Sequence, residues 1–192
     1  MTGRALNFFW GQEILTKWIL IAAIPSILLS GIVQEGSKLV PVVICWWRKG
    51  KNIDPKLGLV IGAAAGLGFG VFEAVWIHNS IFLSGWNLGA AKTAGLFIAL
   101  LPFLERFFIV SFHTASSAIA GWGLAKGWGW QFYLISSFSH AVINYSVVIF
   151  STGLVSQLQL EAYIVVWAII VTGFALWLRW RKQNKTFVSY IL

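Results

Sequence analysis

Apolar residues fall in long runs that short polar segments interrupt. About 20 mostly apolar residues cross a bilayer as a helix, at a rise of ~1.5 Å per residue. Two runs exceed the length of one crossing, so each is expected to break or kink at a helix-perturbing residue. The single crossings are 57–78, 107–124, 131–150 and 161–178; the long runs are 18–47, with Pro25, Gly31, Gly36 and Pro41, and 92–124, with Pro102.

Composition supports a membrane protein over a water-soluble one. Of the 192 residues, 58% are hydrophobic and 10% are charged, and the mean hydropathy is +0.79. A soluble domain has about 25% charged residues. We therefore expect an all-α, polytopic transmembrane helical bundle of about 5–7 membrane segments. Residues 1–192 form one integral membrane domain in this interpretation, with the motif-bearing core at about 31–150.

The basic residues predict an orientation in the membrane. The net charge is +8, but its largest groups lie in the short loop 48–56 and in the tail from Arg179. Lysine and arginine are enriched on the cytoplasmic side of membrane proteins, which places both segments there. This explains the basic charge without nucleic acid as a partner. The basic residues are Arg48, Lys49, Lys51 and Lys56 in the loop, and Arg179, Arg181, Lys182 and Lys185 in the tail.

Five hydrogen-bonding or ionisable residues fall at similar depths inside the predicted spans. Counted from the non-cytoplasmic helix ends, all lie roughly 8 to 15 Å into the membrane. A charge at such a depth costs several kcal/mol, so ionisable residues there indicate a functional site. Two carboxylates, two imidazoles and an amide are typical of a hydrolytic or metal site. The five are Glu35, Glu73, His113, His140 and Asn144.

Spacing along the helices relates these residues to one another. His140 and Asn144 are four residues apart and share a helix face. Glu35 and Lys38 are three apart and can pair, which lowers the cost of burying either charge. The single cysteine, Cys45, excludes an intramolecular disulfide and a cysteine-based metal cluster.

A strip of small residues occurs on the helix that carries Glu73. Gly62, Gly66 and Gly70 repeat at intervals of four residues, a pattern that lets two membrane helices approach closely. We therefore expect a tightly packed neighbouring helix, which would bring Glu73 close to other segments.

Four stretches resemble the PrsW-type intramembrane proteases. "QEGSKLVPV" is similar to their Glu-Glu-x-x-Lys motif, "FGVFE" to their Phe-x-x-x-Glu motif, and "RFFIVSFHTASSAIAGWG" to their arginine-then-histidine helix. "HAVIN" resembles the His-x-x-x-Asn element of the wider superfamily, which includes CAAX-prenyl proteases and YhfC-type proteins. The matches occur in the family's order over 31–150. Gln34 stands where the first glutamate is expected, and Ala74 where asparagine is frequent.

The resemblance implies hydrolysis of peptide bonds near the non-cytoplasmic half of the bilayer. Its substrates would be membrane proteins or membrane-anchored peptides, and its location a prokaryotic cell membrane. Glu35, held by Lys38, would act as general base, and Asn144 would donate a hydrogen bond to the oxyanion. The site would hold Zn²⁺ or act without a metal. The implied metal ligands are Glu73, His113 and His140.

Two other classes of protein use similar residues. A non-catalytic scaffold or chaperone could bind transmembrane segments in the same cavity, and Gln34 in place of an acid is consistent with it. A proton-coupled transporter also uses membrane glutamates and histidines, but is expected to show internal repeats. The sequence shows no convincing repeat.

Overall fold

The computed structural model describes residues 12–87, 89, 93 and 95–181. Its described part contains six main helices and no strand, which confirms the all-α prediction. Lys182 and Lys185 of the basic tail lie outside the described residues. The helices are α1 (Gln12–Ala22), α2 (Ile24–Arg48), α3 (Pro55–Leu83), α4 (Leu96–Ala125), α5 (Gly129–Ser151) and α6 (Gln157–Trp180).

Within the described residues, five helical segments are long and apolar enough to cross a membrane. Many large apolar side chains point outward; Phe72 and Phe107, for example, are 69% and 66% exposed. Such a surface suits lipid, because acyl chains solvate apolar side chains and need no polar partner. The chain is therefore an integral, multi-pass membrane protein. Its spans are Lys17–Arg48, Pro55–Leu83, Ala99–Ala125, Gly129–Ser151 and Gln157–Trp180.

The first long run breaks between Ala22 and Ile24, and the second does not break at its proline. α1 ends at Ala22, and Pro25 lies in the first turn of α2, where a missing backbone N–H leaves no helical bond unmade. α2 then continues through Pro41. α4 begins after Gly95, whose φ of 100° suits glycine, and continues through Pro102.

α4 is the centre of the bundle. It contacts α2, α3, α5 and α6, and it is the most buried of the membrane spans among the described residues. A residue in the middle of α4 is thus surrounded by side chains from several helices. His113 occupies such a position and is 2% exposed.

Glycines set the distance between α4 and α3, as the sequence predicts. A Cβ atom on Gly62 would overlap the carbonyl oxygen of Ser117, and one on Gly66 would overlap that of His113. The two helices therefore touch through their backbones. On the other side of the bundle, Gly31 of α2 makes an equally close approach to the backbone of α5 at Ser137.

Candidate active site

The face of α2 that packs into the bundle carries two charged residues. Its buried positions recur every three or four residues, the period of one helix face. Glu35 is 1% exposed and Lys38 is 3% exposed. Their place in this stripe forces both charged groups into the interior. The stripe consists of Ile27, Gly31, Glu35, Lys38, Leu39 and Val42.

The carboxylate of Glu35 is compensated by three partners. Lys38 forms an ion pair with Oε1, and His140 Nδ1 lies 2.8 Å from the same oxygen. The hydroxyl of Ser116 lies 3.3 Å from both carboxylate oxygens. A buried carboxylate is costly unless it is paired and hydrogen-bonded, and this one is both.

His113 lies between a cation and a second carboxylate. Lys38 Nζ is 3.0 Å from its Nδ1, and Glu73 Oε2 is 2.8 Å from its Nε2. An ammonium group only donates and a carboxylate only accepts. Nδ1 of His113 therefore accepts from Lys38, and Nε2 carries the proton and donates to Glu73.

His140 has the opposite arrangement. Its Nδ1 faces the carboxylate of Glu35, so Nδ1 carries the proton and Nε2 keeps the lone pair. The ring centroids of His113 and His140 are 5.1 Å apart. Two histidines on neighbouring helices are thus each oriented by a different glutamate.

Glu73 lies on the open side of this cluster. Its side chain is 30% exposed, whereas that of Glu35 is 0% exposed. Arg106 Nη1 is 3.9 Å from Glu73 Oε2, and Nη2 of the same side chain pairs with Glu105. The guanidinium group therefore connects the second glutamate of the site to a third acidic residue.

A cavity of about 30 Å³ adjoins the two histidines and has room for about one water molecule. Glu35 and Lys38 are not among its lining residues. Two larger cavities, of about 590 and 500 Å³, lie between apolar helix faces and include none of the predicted site residues. The polar lining residues of the small cavity are Glu73, Glu105, Arg106, His113, His140 and Asn144.

The residues present fit a metal ion. Glu35, His113 and His140 each offer a ligand atom, these atoms lie within 4.8 Å of one another, and all three residues are buried. One carboxylate and two imidazoles form a common donor set for catalytic zinc. The sequence-based ligand set has Glu73 where this group has Glu35. Glu73 instead contacts the outer nitrogen of His113, as do carboxylates that orient a metal-binding histidine.

All six predicted site residues are thus near one another. Five form one hydrogen-bonded cluster, and Asn144 joins through the cavity that it shares with His113 and His140. Gln34, the departure from the family pattern, lies outside this cluster, because its amide donates to Ser30 Oγ at 2.8 Å.

Sequence reasoning missed several polar contributors. Ser116 follows His113 by three residues and therefore shares its helix face, so this spacing could have predicted its place in the site. Ser136 of α5 donates to the backbone carbonyl of Ser116 at 3.0 Å, which joins α5 to α4 beside the site. Glu161 of α6 is also buried, at 7% exposure, but it forms none of the hydrogen bonds of the cluster, and no motif indicated it.

A protein-family model matches most of the chain. The family described as PrsW family intramembrane metalloprotease matches residues 3–174, which include every residue of the cluster. No curated protein and no solved structure matches the chain. The family match covers most of the sequence and agrees with the membrane spans and the buried glutamates and histidines. The chain belongs to the PrsW family of intramembrane metalloproteases.

Proposed function

We propose that the protein cleaves peptide bonds of membrane-protein or membrane-anchored substrates within the bilayer, using the cluster around His113 and His140. One observation carries the proposal: two buried histidines, each bonded to a glutamate, adjoin a cavity with room for about one water. Hydrolysis needs an activated water, an electrophile for the carbonyl oxygen and a proton donor for the leaving amine. Groups for each role occur here, within one domain built from several membrane helices.

In this proposal Glu35, His113 and His140 hold the metal. A zinc ion bound there would act as a Lewis acid, making water more acidic and polarising the substrate carbonyl. The mutual distances of the three ligand atoms support this set. Glu35 suits the role because its carboxylate is fully buried and does not line the cavity.

Glu73 is the better placed general base. A base has to reach the proton that it removes, directly or through one water. Glu73 lines the cavity and its side chain is 30% exposed, whereas Glu35 does not line it. We therefore assign Glu73 the proton transfer and Glu35 a ligand role, the reverse of the roles implied by sequence resemblance.

Asn144 would stabilise the negative charge that develops on the substrate oxygen. It lines the same cavity as His140, one helical turn away on α5. A donor of this kind typically contributes about 2.7–4 kcal/mol to the transition state. Arg106, which also lines the cavity, would keep Glu73 ionised and oriented.

A metal-free route uses the same residues differently. His140 donates from Nδ1 to Glu35 and keeps a lone pair on Nε2, an arrangement that suits a histidine general base oriented by a carboxylate. Metal removal separates the two routes. Treatment with a chelator abolishes cleavage if the metal supplies the electrophile and leaves it unchanged if His140 activates water alone.

Two matched glutamate variants test the assignment. Glu35→Gln and Glu73→Gln should each lose at least ~10²-fold of cleavage rate on a trial membrane substrate. Glu35→Gln should also lose bound metal, measured on purified protein, while Glu73→Gln should retain it. If Glu73→Gln loses the metal and Glu35→Gln retains it, the roles implied by the sequence resemblance are the correct ones. Wild-type activity in both variants would refute the catalytic proposal and favour a non-catalytic scaffold.

Glu161→Gln is the control for this pair. It makes the same chemical change at another buried glutamate, which forms no hydrogen bond with Glu35, His113 or His140. Its cleavage rate and metal content should stay close to those of the wild type.

A further inference from the structure

Lys38 contacts two of the three residues that would hold the metal. Its ammonium group pairs with Glu35 and lies 3.0 Å from His113 Nδ1. The ring centroid of Phe69 is 5.3 Å from Nζ, a cation–π contact on a further side. The side chain is fully enclosed, at 1% exposure. Lys38 thus places a positive charge against the donor atoms of a cation site.

The ammonium group of Lys38 and a metal ion cannot bind His113 and Glu35 at the same time. Nδ1 of His113 has one lone pair, which either accepts a hydrogen bond from Lys38 or binds a metal. Nε2 offers no substitute, because it carries the proton that is donated to Glu73. Oε1 of Glu35 already receives both Lys38 and His140. Two unscreened positive charges at this separation would also repel each other strongly.

We propose that Lys38 is a built-in cation that keeps the ligand set assembled in the metal-free protein and that metal binding displaces it. This inference rests on the proposed ligand set of Glu35, His113 and His140. The flexible four-carbon stem of lysine allows Nζ to leave Glu35 and His113 without movement of α2. Lys38 therefore lowers the affinity of the site for a metal ion. In the metal-free protein, it prevents the metal-binding side chains from repelling one another or collapsing together.

The test measures Co²⁺ affinity, because Co²⁺ reports its ligands through its visible absorption spectrum. Purified full-length wild type and Lys38→Met are titrated with Co²⁺ in detergent. Methionine keeps an unbranched side chain that is one atom shorter, and it removes the charge. We expect Lys38→Met to bind Co²⁺ at least ~10-fold more tightly, the low end of the effect of groups next to a metal ligand. The absorption spectrum of the bound ion should be the same in both proteins.

Two further variants make the comparison specific. Lys49→Met makes the same chemical change at an exposed lysine that follows the end of α2, and its Co²⁺ affinity should stay near that of the wild type. Adding His140→Ala to Lys38→Met should abolish the tight binding, because a ligand is then missing.

Equal or weaker binding of Co²⁺ by Lys38→Met would overturn the inference, as would failure of both proteins to bind. A crystal structure of the Co²⁺-loaded wild type supplies a test that does not depend on the variant's folding. The ion should contact Glu35, His113 and His140, with Lys38 Nζ beyond hydrogen-bond distance of His113 Nδ1. Contacts of Lys38 that persist beside the bound ion would refute displacement. If metal binding does not displace Lys38, loss of cleavage in Glu35→Gln and Glu73→Gln would still support the proposed hydrolysis.

Discussion

Replacing Gly66 with alanine tests whether the close approach of α3 and α4 holds the active-site residues in place. The added Cβ would lie 2.8 Å from the carbonyl carbon of His113 and 2.8 Å from Ser117 Oγ, and closer still to the oxygen of His113. Carbon atoms in contact prefer about 3.5–4.0 Å, so the helices must separate by roughly 1 Å. Overpacking of this kind costs about 1–3 kcal/mol of folding free energy.

The same displacement should impair catalysis. Glu73 lies seven residues, two helical turns, beyond Gly66 and on the same face of α3. A shift of roughly 1 Å would stretch its bond to His113 Nε2, now 2.8 Å, beyond hydrogen-bond range. A misplacement of that size can cost ~10²-fold in rate. We therefore expect Gly66→Ala to lose both stability and about two orders of magnitude in cleavage rate.

Gly68→Ala is the matched control, because a Cβ there meets nothing within 4 Å. Alanine is favoured over glycine inside a helix by roughly 0.5–1 kcal/mol, so this variant should be at least as stable as the wild type. Thermal unfolding in detergent and cleavage of a membrane substrate are measured on the same preparations. Equal Tm and equal rate for Gly66→Ala and Gly68→Ala would refute the backbone-contact argument.

Three further predictions concern single features of the chain. Gln34→Ala should leave the cleavage rate near that of the wild type, because its amide bonds within α2; a large loss would place Gln34 in the chemistry. Asn144→Ala should lower kcat by ~10²–10³ with little change in KM, and an unchanged kcat would remove the oxyanion role. In a Cys45→Ser background, an impermeant thiol reagent applied to sealed right-side-out cells should label cysteine at Ser84 and not at Lys51. The reverse labelling would invert the orientation.

The glycine pattern and the charged residues within the spans predicted much of the arrangement around His113. Small residues at Gly62 and Gly66 require a close neighbour whatever the sequence of that neighbour. Because burying Glu35 and Glu73 in a membrane is costly, we expect both to contact other polar groups there. Helix spacing then indicates which of those groups share a face.

The roles that we propose for the two glutamates could not be predicted from the sequence by this reasoning. Whether Glu35 or Glu73 comes close enough to both histidines to bind a metal with them depends on side-chain rotamers and on the close contact of Gly31 with α5. Neither follows from positions along one helix. The continuation of helices through Pro41 and Pro102 also depends on context, because neighbouring helices and side chains can satisfy the backbone groups that a proline frees in a membrane.

The ion pair within α2 has a consequence for the insertion of the protein during synthesis. His113 follows Lys38 by 75 residues, and His140 follows Glu35 by 105, so both histidines are made long after α2. An isolated charge in the bilayer centre costs about 2.5–3.5 kcal/mol on insertion scales. Because Glu35 and Lys38 are three residues apart, α2 carries its own counter-charge into the membrane. The early helix can thus remain in lipid until α4 and α5 arrive to surround it.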